Sequence, residues 1–301
     1  MMTQAPQFEH RDNGLLVRAP AKINLSLLIA GKRADGFHEL ETVMAKIDLR
    51  DELLIKHGQK GGIELLCRGR HWAPQGRDNL VYRAAEEVFS LCGRDHNVRL
   101  TLTKRIPAGS GLGGASSDAA ATLIGLNEYL GLGLSLAQLA DIAARLGSDV
   151  AFFLHGPLAL CKGRGENIAE IRTHFPFTAL LILPDANVST KKVYANYRHD
   201  ADLYRRLSQQ IGAHLAENRV DLVARMCANM LSGSCFGLFQ ELGGLKDTVE
   251  SLGVGSVCLS GSGSALFCLI SQSGSGQIGI RPEEIASKTG CQCIVVRNNE
   301  W

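Results

Sequence analysis

The sequence predicts a mixed α/β protein of two domains, and three observations predict it. The chain has 301 residues, which makes two modest domains or one large one the starting choice. Alternating apolar–polar segments and segments of helical apolar period both occur, interleaved along the chain. A charged, glycine-bearing stretch around residues 163–170 interrupts the pattern, and a boundary is placed there, with residues 1–165 in the first domain and 166–301 in the second.

Composition narrows the function. Hydrophobic residues are 45% and charged residues 21%, enough apolar material for a sizeable core. The formal net charge of +2 sets up no strong field for nucleic acid or an anionic membrane, so neither is expected as a partner. No apolar run approaches the roughly 20 residues that span a bilayer. Met1–Gly14 is polar and has no secretory core, and no transit-like segment appears, so a cytoplasmic protein is expected. Nine cysteines are scattered, mostly between apolar neighbours as at Cys161, Cys258 and Cys268. They read as reduced thiols filling the core. Cys291 and Cys293 lack the further ligands that zinc requires.

Residues 15–30 alternate as a half-buried strand, with Ile23, Leu25, Leu27 and Ile29 on one face and Lys22, Asn24 and Ser26 on the other. Asp35-Gly36 marks a tight turn, and strand patterning resumes over 40–56. Residues 79–92 are helical, with Leu80, Ala84, Val88 and Leu91 as the apolar stripe. Residues 98–106 alternate strictly and feed a glycine-rich loop. Past the loop, Ser116 or Ser117 can cap a helix to about residue 130, with Ala120, Leu123 and Ile124 buried. Ser135 and Gln138 form a capping box for a second helix that Gly147 ends. An apolar run after Ser148-Asp149-Val150 carries the chain back into the core. A buried strand over 178–184 follows, then a helix from Ser189-Thr190, helices at 202–217, 219–231 and 236–252, a strand–glycine turn–strand unit over 256–270, a Ser/Gly-rich surface loop at 272–277 and a final strand at 291–297.

The loop at Lys104-Arg105-Ile106-Pro107-Ala108-Gly109-Ser110-Gly111-Leu112-Gly113-Gly114-Ala115-Ser116-Ser117 carries the most information. Glycines expose backbone N–H groups, and a helix starting behind them adds free N–H groups and partial positive charge. Together they seat a phosphate. A P-loop is excluded, because no Gly-Lys-Ser/Thr closes the loop. A dinucleotide fold fits poorly. The preceding strand carries Arg99, Thr101, Thr103 and Arg105 on one face, whereas the first strand of that fold is apolar on both.

The pattern from Pro107 to Ser117 resembles the ATP signature of the galactokinase, homoserine kinase, mevalonate kinase and phosphomevalonate kinase superfamily. Other segments narrow the resemblance: Pro20-Ala21-Lys22-Ile23-Asn24-Leu25, Asp35-Gly36-Phe37-His38-Glu39-Leu40, Gly147-Ser148-Asp149-Val150, Gly163-Arg164-Gly165-Glu166 and Ser260-Gly261-Ser262-Gly263. Their order is similar to that in one branch, the kinases of 4-diphosphocytidyl-2-C-methyl-D-erythritol, over residues 15 to about 270.

The resemblance implies the two-domain small-molecule kinase fold, with a nucleotide-binding domain first, a smaller α/β domain second and the active site in the cleft between them. It implies ATP as co-substrate, Mg²⁺, and a cytidine-diphosphate-linked methylerythritol as acceptor. The catalytic pair falls on Lys22 and Asp149. Pro107, Ala108, Gly109, Ser110, Gly111, Leu112, Gly113, Gly114, Ala115, Ser116 and Ser117 would wrap the ATP phosphates, with a serine hydroxyl on phosphate or metal. Asn79 and Lys104 match positions near the adenosine; a helix cap and a strand-face lysine are the plainer explanations. Asn24, Phe37, His38, Thr190, Gly261 and Gly263 would meet the acceptor. Relatives mostly carry tyrosine in place of Phe37, which keeps stacking and loses a phenol hydrogen bond, and proline in place of Ala151. The metal ligands, and the choice between monomer and homodimer, are left open. A homoserine or mevalonate kinase, or a non-catalytic nucleotide sensor on this scaffold, are the rivals. The turn at residues 35–40 argues against the first, and retention of both Lys22 and Asp149 against the second.

Overall fold

The computed structural model describes residues 7–59, 61–93, 97–270 and 281–301. The first half is one mixed sheet. Strands β1 (Phe8–Arg11), β2 (Gly14–Lys32), β3 (His38–His57), β5 (Val98–Lys104) and β4 (Ile63–Gly69) lie side by side in that order, and β6 (Leu158–Gly163) and β7 (Asn167–Glu170) extend it from β3. Pairing is antiparallel except between β4 and β5. β2 and β3 form a long hairpin across the Asp35-Gly36 turn. Its register shifts at Pro20/Ala21, Asn24/Ser26 and Ile29/Gly31 bend the pair.

Helices α1 (Leu80–Cys92), α2 (Gly114–Tyr129) and α3 (Leu136–Leu146) cover one face of this sheet. In α2 the buried set is Ser117 to Leu123 without a gap, plus Gly125 and Leu126, so it is a core helix rather than an amphipathic one. It lies so close to the sheet that a Cβ on Gly125 would stand 2.7 Å from Ile55 Cδ1 and Val17 Cγ2. The α3 capping box forms as predicted, Ser135 and Gln138 each satisfying the other's backbone N–H.

The second sheet has the order β11 (Gln292–Arg297), β8 (Thr178–Leu183), β10 (Leu266–Ile270), β9 (Cys258–Leu259), antiparallel throughout. One face (Ala179, Leu181, Phe267, Val296) packs with β2, β3, α5 (Ala201–Ala216) and α6 (Val220–Arg225). The other (Leu180, Ile182, Leu266, Cys268) packs with α4 (Thr190–Asn196), α7 (Ser232–Leu238), α8 (Gln240–Ser251) and α9 (Pro282–Thr289). The turn at Gly163–Gly165 belongs to the β6–β7 hairpin of the first sheet, and the chain passes to the second sheet between Glu170 and Thr178.

Several local expectations are corrected. β2 is buried on both faces, since Lys22, Asn24 and Ser26 are themselves buried. The α1 stripe is Val81, Ala84, Ala85 and Val88, while Leu91 is exposed. The helix expected over 219–231 stops at Arg225, and the helical stretch near 236–252 is two helices broken at Phe239. Cys258 is joined to Cys227 by a disulfide rather than free. β1, β4, β6, β7 and α9 had no expectation attached. The loop expected at 272–277 lies outside the described residues.

Candidate active site

Two glycine turns from opposite ends of the chain meet beside β2. Ser260 Oγ donates to Gly111 O at 3.0 Å, the Ala265 N–H donates to Ser110 O at 2.9 Å, and the Lys22 N–H donates to Leu112 O at 2.9 Å. Gly111 has φ +78°, and a Cβ there would stand 2.2 Å from Ser260 O, so only glycine allows this contact.

The first loop delivers the chain into α2 through Gly113, which is the N-cap in left-handed conformation at φ 72°. Neither Ser116 nor Ser117 caps the helix; both lie in its first turn, a correction to the expected boundary. The first intrahelical bond near this end is Ser117 N–H to Gly113 O. The N–H groups of Gly114, Ala115 and Ser116 therefore have no intrahelical partner. Ser117 Oγ is buried and makes no hydrogen bond. This cradle of free N–H groups and an unused hydroxyl fits a polyphosphate.

Lys22 enters the same place from β2. Its ammonium donates to Asn24 Oδ1, Asn24 Nδ2 donates to Thr42 Oγ1 at 2.8 Å, and Thr42 Oγ1 donates to Ser26 O at 2.6 Å. This chain fixes the direction of the lysine. Burial pushes the Lys22 ammonium below its ordinary pKa, and the charges of Asp149 and then Cys161 oppose the shift. Asp149 stands in the turn after α3, where the Val150 N–H bonds Gly147 O at 3.2 Å. Lys22 and Asp149 line one cleft of about 850 Å³ together with Gly111, Gly113, Gly261 and Ser262.

The same cleft is also lined by the aromatic rings of Phe37, His38, Tyr194 and Tyr197. Phe37 is 52% exposed, and the Arg164 guanidinium sits 4.1 Å from its ring centroid. The His38 ring lies 5.1 Å from that of Tyr194 and 6.0 Å, edge-on, from that of Tyr197. Burial lowers the His38 pKa, with Lys32 and His199 adding to the effect, so the neutral ring is favoured. Asp35 Oδ1 accepts the Phe37 N–H at 3.1 Å, and Arg33 ties the turn through Asp35 and Glu39. Thr190 Oγ1 and Ser262 Oγ are 2.8 Å apart and join α4 to the second glycine turn.

Some predicted residues stand elsewhere. Lys104 is buried under the loop between Asp51 and Asp118, bonding both carboxylates. Asn79 caps α1 through the Val81 N–H at 2.9 Å, and its amide donates to Pro74 O at 2.8 Å. Neither lines the cleft, nor does Gly263, whose position faces Cys235, Leu259 and Val188. Conversely, sequence reasoning missed Thr42, Arg164, Tyr194, Tyr197 and Ser262. Arg164 and Ser262 sat inside quoted glycine motifs; the tyrosines follow Thr190 on and just past α4 and carry no signal until the helix is docked.

The family model described as "GHMP kinases N terminal domain" matches residues 79–157. The chain is 38% identical over 256 residues to "4-diphosphocytidyl-2-C-methyl-D-erythritol kinase" of Bacillus cereus (strain B4264), covering 85% of this chain and 88% of that one. The chain belongs to the 4-diphosphocytidyl-2-C-methyl-D-erythritol kinase family. The same identity and coverage hold for the kinase of that name from Bacillus anthracis (strain CDC 684 / NRRL 3495). A solved 4-(cytidine 5'-diphospho)-2C-methyl-D-erythritol kinase superposes with a TM-score of 0.74 at 32% identity, covering 95% of this chain and all of that one. Homoserine kinase from Cytophaga hutchinsonii ATCC 33406 superposes with a TM-score of 0.75 at 19% identity over 98% of both chains, a likeness of fold alone. Family membership makes this chain an ATP-dependent small-molecule kinase and fits the phosphate cradle to ATP.

Proposed function

We propose that the protein transfers the γ-phosphoryl group of ATP to the 2-hydroxyl of 4-diphosphocytidyl-2-C-methyl-D-erythritol, a step toward isoprenoid precursors. The observation that carries this reading is the meeting of Lys22 and Asp149 with both glycine turns in one cleft that is also lined by aromatic rings. Asp149 takes the proton of the acceptor hydroxyl as its oxygen bonds to the γ-phosphorus. The bond from that phosphorus to its bridging oxygen breaks, and ADP leaves with the electron pair. Such transfer depends chiefly on positioning and charge stabilisation. Lys22 orients the acceptor hydroxyl and neutralises charge building on the phosphoryl oxygens. Residues 107–117 hold the phosphates through backbone N–H groups. Phe37 offers a face to the cytosine ring, His38 and Asn24 meet polar edges of the acceptor, and Thr190 and Gly261 shape the wall from the second half of the chain. Lys104 acts on ATP indirectly, by holding the strand and helix that flank the loop through Asp51 and Asp118.

Among the described residues there is no cluster of three or more acidic, His or Cys side chains that could hold a metal. Mg²⁺ would therefore rest on phosphate oxygens and on the hydroxyl of Ser116 or Ser117, where it would neutralise phosphate charge. Acceptor-dependent ADP release tests the reading, and ATP binding without it overturns it. In Asp149→Asn, kcat should fall about a hundredfold to ten-thousandfold with ATP affinity retained; near-normal turnover would remove Asp149 as the base.

A further inference from the structure

The turn that carries Asp149 is short and intrinsically weak. Three-residue bonds run along it, Val150 N–H to Gly147 O at 3.2 Å, Phe153 N–H to Val150 O at 3.1 Å and His155 N–H to Phe152 O at 3.1 Å. Turns of this kind have poorer hydrogen-bond geometry than an α-helix and rely on their surroundings. Their last carbonyls are left without partners. Here those carbonyls have one. Lys46 Nζ donates to His155 O at 2.6 Å and to Phe153 O at 3.3 Å. The ammonium also lies 6.0 Å from the Phe152 ring centroid. The backbone of the same residue adds a third tie, Lys46 N–H to Pro157 O at 2.8 Å.

We propose that Lys46 is a positioning residue for phosphoryl transfer: its buried ammonium clamps the carbonyl end of the Gly147–His155 turn and so sets where the Asp149 carboxylate stands. The inference rests on Asp149 being the base. Lys46 sits on β3 directly opposite Lys22 on β2, so adjacent strands supply one lysine to the cleft and one to the turn beside it. Phe153 links the two, because a Cβ on Gly113 would stand 2.9 Å from Phe153 Cζ and 3.0 Å from Lys22 Cγ. A shift of the turn would thus reach the glycine loop and the stem of Lys22 together.

The energetics point the same way. Lys46 is 2% exposed, and among the described residues no carboxylate bonds to it. Glu170, the opposing charge that acts on it, bonds instead to the Gly156 N–H at 3.1 Å and His155 Nδ1 at 3.2 Å. Burial pushes the Lys46 ammonium down to about 8. An ammonium buried this way is expensive, and an apolar side chain would fill the same space without that penalty. What the lysine supplies and an apolar residue does not is a cationic donor to the free carbonyls of the turn.

Steady-state kinetics of Lys46→Met and Lys46→Gln test this. Met keeps the volume and removes all donors; Gln keeps two N–H donors without charge. In Lys46→Met, kcat should fall about tenfold or more while KM for ATP and for the acceptor stays within about twofold, as expected when a reacting group is misplaced rather than a binding wall lost. Lys46→Gln should recover part of that loss. An unchanged kcat in Lys46→Met overturns the proposal, as does an equal fall in both variants accompanied by raised KM. Should Lys46→Met fail to fold, hydrogen exchange of Lys46→Gln decides: faster exchange at the Phe153 and His155 amides with the β2–β3 amides unchanged supports the clamp, and unaltered exchange overturns it. Turnover retained by Asp149→Asn would instead fail the base assignment, so the two failures are distinguishable.

Discussion

Beneath the glycine loop, Lys104 is shared by Asp51 and Asp118, all three buried. Asp51 also accepts the N–H groups of Arg105 and Ile106, so it fastens the end of β5, while Asp118 fastens the start of α2. One ammonium between two carboxylates leaves the set one proton short. Burial, together with the neighbouring Asp51 charge, raises Asp118 to about 8 against the pull of Lys104, and both carboxylates hold the lysine proton in place. A carboxyl with a raised folded pKa contributes stability that is full below its unfolded value and is lost as pH climbs through the folded one. The melting temperature should therefore decline as pH rises from mildly acidic toward about 8, and Asp118→Asn should flatten that slope. Thermal unfolding across the range checks it; an unchanged slope refutes it. At this scale Lys22, Asn24, Phe37, His38 and Asp149 each stand in a motif visible in the sequence, and with Thr190 they line one cleft. Lys46 was not legible in the sequence, because a lysine in an alternating strand looks solvated until the element that buries it is known.

At the scale of elements, the docking of two glycine turns makes the site. Gly111→Ala must give an L-residue a φ of +78° and place a Cβ 2.2 Å from Ser260 O. The left-handed conformation alone costs about 1–2 kcal/mol, and the clash with backbone adds to it. We expect Gly111→Ala to lose most kcat/KM by separating the turns, with a melting temperature several degrees lower; wild-type kinetics would show that the contact is dispensable. Most strands and helices were readable from periodicity, and the α3 capping box formed at the predicted residues. The failures have separate causes. The four-residue strands β1 and β7 carry too few residues for a period to show. The N-cap of α2 fell to Gly113 rather than a serine because the loop needs a left-handed residue there.

Across the whole molecule, β2 binds the halves together. Leu15, Val17 and Ala19 belong to the core beneath α1–α3, Ala21, Ile23, Leu25 and Leu28 to the core shared with the second sheet, and Leu27 and Ile29 to the core under α7–α9. A strand threaded through all three cores cannot leave one without disturbing the others. The protein should therefore unfold in a single transition, with far- and near-ultraviolet circular dichroism coincident in denaturant; two separated transitions would mean that the halves are independent. The sequence by itself determined the element types, the phosphate-binding loop and the kinase family, because these depend on local period, backbone freedom and motifs of contiguous residues. Only the tertiary structure decided that β2 is buried on both faces, that Lys104 supports the loop from behind while Asn79 caps α1, and that Lys46 reaches the Asp149 turn. Burial, and the pairing of charges far apart in the chain, exist only once the strands and helices that carry them have packed together.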